Sequence, residues 1–522
     1  MRLLPTLLIL IAALPVSAQQ SYDVVITHAR ILDGTGNPWY FADVGITGDR
    51  IVAVGNLDGD RARRTIDARG LYLTPGFIDV HSHSAGGLSS EELSHGQPLL
   101  AQGITTIVGN PDGGGPTDLE SQREALLRDG LGVNVAQLVP HGSIRTEVLG
   151  MEARDPTPAE LEQMKDLVRR GMEQGGFGIS SGLYYAPGSY SKTEEVIELA
   201  KVASAFGGLY TSHIRDEADY NIGVVGAVDE VIRVSREGRL PGIVTHIKAL
   251  GPRVWGYSQA LIRRIEQARA EGLEVYADQY PYEASGTSVT GALIPRWAQE
   301  GGREQLLRRL NDETEKLRVR EDVIENLERR GGAGRLQFRR YAPDPSIEGK
   351  TLEEVADERT MHPADLATEL VKEGNAGLVS FNMDSADVRV LMRQPWTMTS
   401  SDGGLVPMDE GVPHPRNYGT FPRKIRKYAL DEGIVSLEGA IRSMTSLPAS
   451  VFRMKDRGQI REGSIADIVV FDPDTIRDRA EYERPHQLSE GMRYVFVNGT
   501  LAIDNGDFTT SLNGRVLSRS QR

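Results

Sequence analysis

Eight short apolar segments separated by helix-forming stretches, β-rich sequence at both ends and one charge-rich run too long for a loop predict an α/β chain. The expected architecture is a (β/α)8 TIM-like barrel with a small β-sandwich domain built from both termini and an inserted subdomain before the last strand. The chain of 522 residues is long enough for one large core plus accessory units. Its 39% hydrophobic and 25% charged content is that of an ordinary globular protein. A net charge of −14 lacks the basic footprint that phosphate binding needs, so no nucleic-acid partner is expected. There is no cysteine, which rules out disulfides, thiolate metal ligands and a cysteine nucleophile.

Taken in order, residues 1–18 read as a signal peptide. Arg2 precedes the apolar run Leu3 to Val16, and Val16-Ser17-Ala18 offers small residues for cleavage. Export to a periplasm or the medium is expected, with no stable membrane span once the segment is removed. An N-terminal membrane anchor is the alternative. Residues 19–73 form the first part of the β domain, with strands at Tyr22–Ile26, Val44–Ile46 and Ile51–Gly55 and turns at Gly34, Gly36 and Gly48-Asp49. Residues 446–522 supply the rest, through Gly463–Asp472 and Tyr494–Gly499.

The barrel is expected over residues 74–445. Its candidate strands are Phe77–His81, Thr105–Val108, Val133–Leu138, Phe177–Ser180, Gly208–His213, Gly242–His246, Glu274–Gln279 and Thr397–Ser401. Helical stretches such as Glu194–Phe206 lie between them. An open doubly wound sheet is the alternative, and it would place a ligand at one switch point only. From about 286 to 376 the chain carries Arg303, Arg308, Glu313, Lys316 and Arg318, which predicts an insert with a solvated helical face.

Chemistry gathers at the strand ends. Pro75–His83 is a short apolar strand closing on His81 and His83, two residues apart and therefore on one face. His141 follows the third strand, His213 and His246 end the fifth and sixth, and Asp402 ends the eighth within Thr399-Ser400-Ser401-Asp402-Gly403. A barrel brings such positions to a single mouth. Imidazoles there suit zinc and neighbouring first-row metals, and a carboxylate beside them can take a proton from water. A lone histidine is more often structural; four at strand ends beside an acid favour a metal site.

The order of motifs resembles the amidohydrolase superfamily, and within it the D-aminoacylase (N-acyl-D-amino-acid deacylase) branch. The stretches that carry the resemblance are Pro75–Ser84, Gly103–Thr106, His141–Arg145, Gly178–Gly188, Thr211–Glu217, Asp278–Tyr282 and His414–Arg423, spread over nearly the whole chain after the signal. The resemblance implies that His213 and His246 are zinc ligands and that His81 and His83 serve a second, weaker metal position. It implies that Asp402 is the catalytic acid/base and a metal ligand. It further implies that Lys248, Arg416, Tyr185 and Tyr280 hold a substrate carboxylate, a task that suits a guanidinium fork, an ammonium and phenols. Barrel packing with a satisfied hydroxyl is the other reading of the two tyrosines.

Two departures stand out. Where the branch carries a zinc-bound cysteine after its second strand, this chain reads Val108-Gly109-Asn110-Pro111-Asp112-Gly113, with Asp112 near the vacated place. A carboxylate there is a harder ligand than a thiolate and can bridge two ions. The alternative is that Asp112 only caps a Gly-rich turn. The branch also has two adjacent histidines before its lysine, whereas His246-Ile247-Lys248 has one. Lys248 is expected to bind a carboxylate, with a carboxylated bridging lysine as the other possibility.

The expected activity is metal-dependent hydrolysis of a linear amide, with one or two zinc or other divalent ions and an N-acyl amino acid or dipeptide-like substrate, of D configuration by resemblance. A two-metal dipeptidase or cyclic-amide hydrolase is the alternative within the superfamily. An exported binding protein on an inactive scaffold is the alternative outside enzymology. Oligomeric state is not encoded in any of these signals.

Overall fold

Strands from the two ends of the chain hydrogen-bond into one nine-strand sheet in a computed structural model, which describes residues 21–57 and 62–519. The signal-like residues 1–18 lie outside the described residues. Tyr22–Ile31, Tyr40–Thr47 and Arg50–Gly55 form an antiparallel meander in which Val24 opposes Ile46 and Val44 opposes Val54. The β-branched residues of these segments suit a pleated, half-buried surface. Tyr72–Pro75 joins the halves, running parallel to Tyr22–Ile31 and antiparallel to Ile468–Phe471 from the far end of the chain. Met492–Val497 and Thr500–Asp504 extend the sheet. Ile26, Val44, Ile51, Leu73, Val470 and Phe496 are buried together in its core.

Between these ends, strands run parallel in chain order. Phe77–Asp79, Ile104–Gly109 and Asn134–Gln137 form one set; Val139–Pro140, Gly178–Gly182, Leu209–His213, Gly242–Val244, Val275–Gln279 and Thr397–Thr399 form the other. Leu138 alone separates Asn134–Gln137 from Val139–Pro140, so one stretch of chain serves both sets. Each of the eight expected segments is a strand, but the first stops at Asp79 rather than His81, the sixth at Val244 rather than His246 and the eighth at Thr399 rather than Ser401. The chain bends or turns just past these ends. His83 N donates to Gly403 O at 2.8 Å and Asp402 N donates to His81 O at 2.9 Å, which ties the exit of the last strand to the exit of the first.

Helices pack outside the strands. Thr193–Ala205, Gly223–Gly238 and Ser258–Ala270 bury Leu199, Val228 and Ile265 against Ile179, Val244 and Val275. Each such fully buried aliphatic side chain contributes roughly 1.5–3 kcal/mol. Ser285–Ser288, Gly377–Ser380 and Leu336–Arg340 form a separate three-strand antiparallel sheet, with helices including Glu315–Arg329 and a core containing Val319, Val323, Phe338 and Leu370. Arg303, Arg308, Glu313 and Arg318 are exposed on its surface. Among the described residues, no helix is long and apolar enough to cross a membrane.

Candidate metal centre

Three turns beyond the strand ends carry the centre, and each places a non-glycine residue in the left-handed region: Asp112 at φ 55°, His246 at φ 34° and Asp402 at φ 50°. Such backbone costs on the order of 1–3 kcal/mol per residue and persists where its surroundings hold it. Here they do. Ser401 N and Oγ both donate to the Asp79 carboxylate beside Asp402. His246 N donates to Asp278 Oδ1 at 2.9 Å, and the same oxygen accepts from Ser400 Oγ at 2.6 Å. The Asp112 turn is pinned by a reciprocal amide pair, Asn110 with Gln122, both bonds 2.8 Å, and by Ser180 Oγ donating to Asn110 O at 2.6 Å. Gly182 lets this turn close, because a Cβ there would lie 2.2 Å from Asp112 O.

The turns aim their side chains at one point. Asp112 Oδ1 lies 3.3 Å from His81 Nε2, 3.6 Å from His246 Nε2 and 3.8 Å from His213 Nδ1. Its Oδ2 lies 3.4 Å from His83 Nε2. Asp402 Oδ1 lies 3.2 Å from His83 Nε2 and 3.6 Å from His81 Nε2. His81 and His83 thus meet as expected of a pair, although both sit in the turn past the strand. Two sets of donors result, sharing Asp112: His81, His83, Asp112 and Asp402; and Asp112, His213 and His246.

These residues fit divalent ions. His81 Nε2, His213 Nδ1 and Asp112 Oδ1 are buried with no hydrogen-bond partner among the described residues. A buried polar atom left so costs about 1–3 kcal/mol, and lone pairs turned on one point are what a cation requires. Burial raises the Asp112 carboxyl, but the histidines around it, His81 foremost, hold it well below the usual range. Burial also raises the Asp402 carboxyl, but Arg416 and then His246 outweigh it and hold it well below the usual range. Burial lowers the His83 imidazole, yet Asp112 and Asp402 together push it up to about 9. The carboxylates therefore draw positive charge to this point, and metal binding competes there with protons.

Glu217 stands behind the second set. Its carboxylate lies 3.1 Å from His246 Nδ1 and 3.8 Å from His213 Nε2, the nitrogens facing away from Asp112. With an ion on Nε2 of His246, Nδ1 would be the ring nitrogen left to meet Glu217 and Lys248, which orient the ring from behind. Lys248 Nζ donates to the same carboxylate and lies 2.7 Å from His246 Nδ1. Its ammonium is thus engaged inside the site wall. A carboxylated Lys248 would set a second anion against Glu217, while the shared position is already held by the Asp112 carboxylate. Glu217→Gln is expected to weaken metal affinity about 10–100-fold, the usual cost of losing a partner behind a ligand histidine. Calorimetric titration of metal-stripped protein checks this, and an unchanged affinity would remove Glu217 from the role.

A cavity of about 770 Å³ opens over the centre, lined among others by His83, Asp112, Tyr185, His213, His246, Lys248, Tyr280, Asp402 and Arg416. Arg416 Nη1 is 2.7 Å from Asp402 Oδ2. The Tyr185 ring lies 4.7 Å from that of His213, and its hydroxyl is 3.2 Å from Thr287 Oγ1. Tyr280 turns its hydroxyl to Met383 Sδ at 3.7 Å and offers its ring to Arg416 and Lys248, so it packs beneath the cations.

His141 does not reach the centre. It is buried at the start of the helix His141–Leu149, with Nε2 2.8 Å from Glu195 Oε1, and Arg145 donates to the same carboxylate. Sequence reasoning also gave no role to Glu217, Asp278 or Arg339. Glu217 follows His213 by four residues and Asp278 opens Asp278-Gln279-Tyr280, so both lay within noticed stretches. Arg339 comes from the insert, whose charges read as solvated.

The amidohydrolase family model matches residues 64–503. The chain is 34% identical to a D-aminoacylase of Alcaligenes xylosoxydans xylosoxydans over 97% of its own length and 99% of that protein. Among solved structures, a D-aminoacylase with a binuclear metal centre, activated by one metal and attenuated by the second, superposes with a TM-score of 0.81 at 34% identity, covering 95% of this chain and all of that one. An N-acyl-D-glutamate deacylase from Bordetella bronchiseptica, bound to zinc and a phosphonate mimic of the tetrahedral intermediate, gives a TM-score of 0.81 at 32% identity, covering 96% and 100%.

Proposed function

The chain belongs to the amidohydrolase family and is a metal-dependent amide hydrolase, and from that premise we propose that it deacylates N-acyl-D-amino acids at the centre built around Asp112. Its α/β fold is of the TIM-barrel type of that family. We read the eight parallel strands as one barrel, closed where His83 meets Gly403, over residues 74–445 with the insert at 286–376. Residues 19–73 and 446–522 make the β domain. Arg64 of Ala62–Asp67 forks onto Asp504 of Thr500–Asp504 at 2.8 and 2.6 Å, which supports two facing layers in that domain. Residues 1–18 direct export to a periplasm or the medium.

The carrying observation is the shared carboxylate. His81, His83, Asp112 and Asp402 would hold one zinc or other divalent ion, and Asp112, His213 and His246 a second. A divalent ion so bound lowers the pKa of water from about 15.7 towards 7 and polarises a carbonyl. The chain's own residues supply the rest. Asp402, kept ionised by Arg416 and His246, accepts a proton from the attacking water and delivers it to the leaving nitrogen. Arg416, held by Asp402 on one edge, offers its other edge to the α-carboxylate and so orients the amide towards Asp402. Lys248, paired with Glu217, backs the His213 and His246 pair, and Tyr185 and Tyr280 wall the cavity.

Amine release from paired N-acetyl-D- and N-acetyl-L-amino acids, by protein stripped and reloaded with zinc, manganese or cobalt, tests the reading. Hydrolysis confined to the D series and dependent on metal is expected. Silence across the panel, or turnover of the L series alone, would overturn it, and retention of substrate without release would point to a binding protein.

A further inference from the structure

Among the described residues, one cation lining the cavity over the centre has no side-chain partner. Lys248 is paired with Glu217, Arg416 with Asp402, and Arg340 with Glu410. Arg330 is spent on Tyr184, Ser380 and the Ala292 carbonyl. Arg339, on the insert strand Leu336–Arg340, lines the same cavity and forms no ion pair or side-chain hydrogen bond among the described residues. It is half-buried, and burial together with Arg416 pushes its guanidinium down to about 10, still charged at neutral pH.

Gly286 brings the two arginines to one place. A Cβ on Gly286 would lie 3.0 Å from Arg416 Nη2 and 3.6 Å from Arg339 Nη1. The edge of Arg416 not given to Asp402 and the unpaired fork of Arg339 therefore border one volume. Two like charges facing each other across a cavity repel, and an anion that reaches both relieves it. An amino acid with a second carboxylate supplies such an anion with its α-carboxylate already on Arg416.

Resting on the deacylase reading, we infer that Arg339 is a specificity-determining residue that binds the side-chain carboxylate, and that the substrates are N-acylated acidic amino acids. The insert, on this account, supplies the side-chain pocket while the barrel supplies the chemistry. Sites built to pair a charged substrate group discriminate strongly against analogues that lack it.

The test compares N-acetyl-D-glutamate and N-acetyl-D-aspartate with N-acetyl-D-leucine and N-acetyl-D-methionine, in metal-loaded wild type, Arg339→Met and Arg339→Lys. Wild type is expected to favour the acidic pair by at least about 10-fold in kcat/KM. Arg339→Met should lose roughly 10–100-fold on that pair, chiefly through KM, with neutral substrates unchanged and Arg339→Lys in between. Inhibition of wild type by glutarate against butyrate gives a readout independent of any variant's folding, and glutarate should bind about 10-fold more tightly. Wild type that prefers neutral D substrates, or binds the two acids alike, overturns the role of Arg339 and leaves the deacylase reading standing. Absence of any turnover overturns the deacylase reading itself.

Discussion

Asp402→Asn is expected to lower kcat by roughly 10²–10⁴-fold, the usual contribution of a general base, while the bound metal stays in place. The amide keeps an oxygen near His81 and His83 but cannot take a proton from water. It also keeps the left-handed backbone that the turn requires, because asparagine tolerates φ near 50° as aspartate does. The contrast between lost turnover and retained metal is the informative part. An active Asp402→Asn enzyme would show that another group moves the proton, and equal loss of metal and activity would make Asp402 a ligand only.

Asp112→Asn should have an effect as large for a different reason. Asp112 is the one residue common to both donor sets, its Oδ1 facing His81, His213 and His246 and its Oδ2 facing His83. Removing its charge leaves imidazoles turned on one another with no anion to join the sets. Activity should fall by more than about 100-fold, beyond the usual cost of losing even an outer partner of a metal ligand, and the protein should retain less metal per chain. Asp112→Cys should behave differently. A thiolate at this place is softer, so zinc should gain over manganese in competition, whereas the carboxylate of the natural chain tolerates harder ions. Elemental analysis after dialysis against mixed metals reads both variants. Unchanged metal content in Asp112→Asn would return Asp112 to the role of a turn residue.

Much of the centre could be read before folding because its residues follow strands, and strand ends have a sequence signature. Phe77-Ile78-Asp79, Leu209–His213 and Gly242-Ile243-Val244 announce where the chain emerges, and the histidines come within a few residues. The exact strand ends could not be read. Residues 80–81 bend and 245–246 turn past the regular pairing so that His81, His83 and His246 face inward, and His246 does so through a left-handed backbone that composition does not signal. His141 shows the opposite limit. It has the same place after a strand as the others, but a helix begins at that residue and delivers its ring to Glu195.

Asp112 was legible as the residue nearest a missing cysteine, with a bridging ligand and a turn cap both open, because the gap marks a place and not the role of the residue beside it. Its role depends on Ser180, Asn110, Gln122 and the open position at Gly182, which come together only in the fold. Glu217 and Arg339 were hidden for related reasons. A carboxylate four residues after a histidine is common on any helix or turn, and a charged residue in an arginine-rich insert reads as surface. Arg339 stands out only in the fold, where its strand brings it to the cavity wall beside Gly286.

The proposed centre depends on Asp112 joining two metal positions. Titration of metal-stripped protein with Mn2+, followed by calorimetry and electron paramagnetic resonance, tests that directly. Two ions per chain with a spin-coupled spectrum, replaced in Asp112→Asn by fewer ions and an uncoupled signal, is the predicted result. A single uncoupled ion in the natural chain, unaffected by Asp112→Asn, would contradict it.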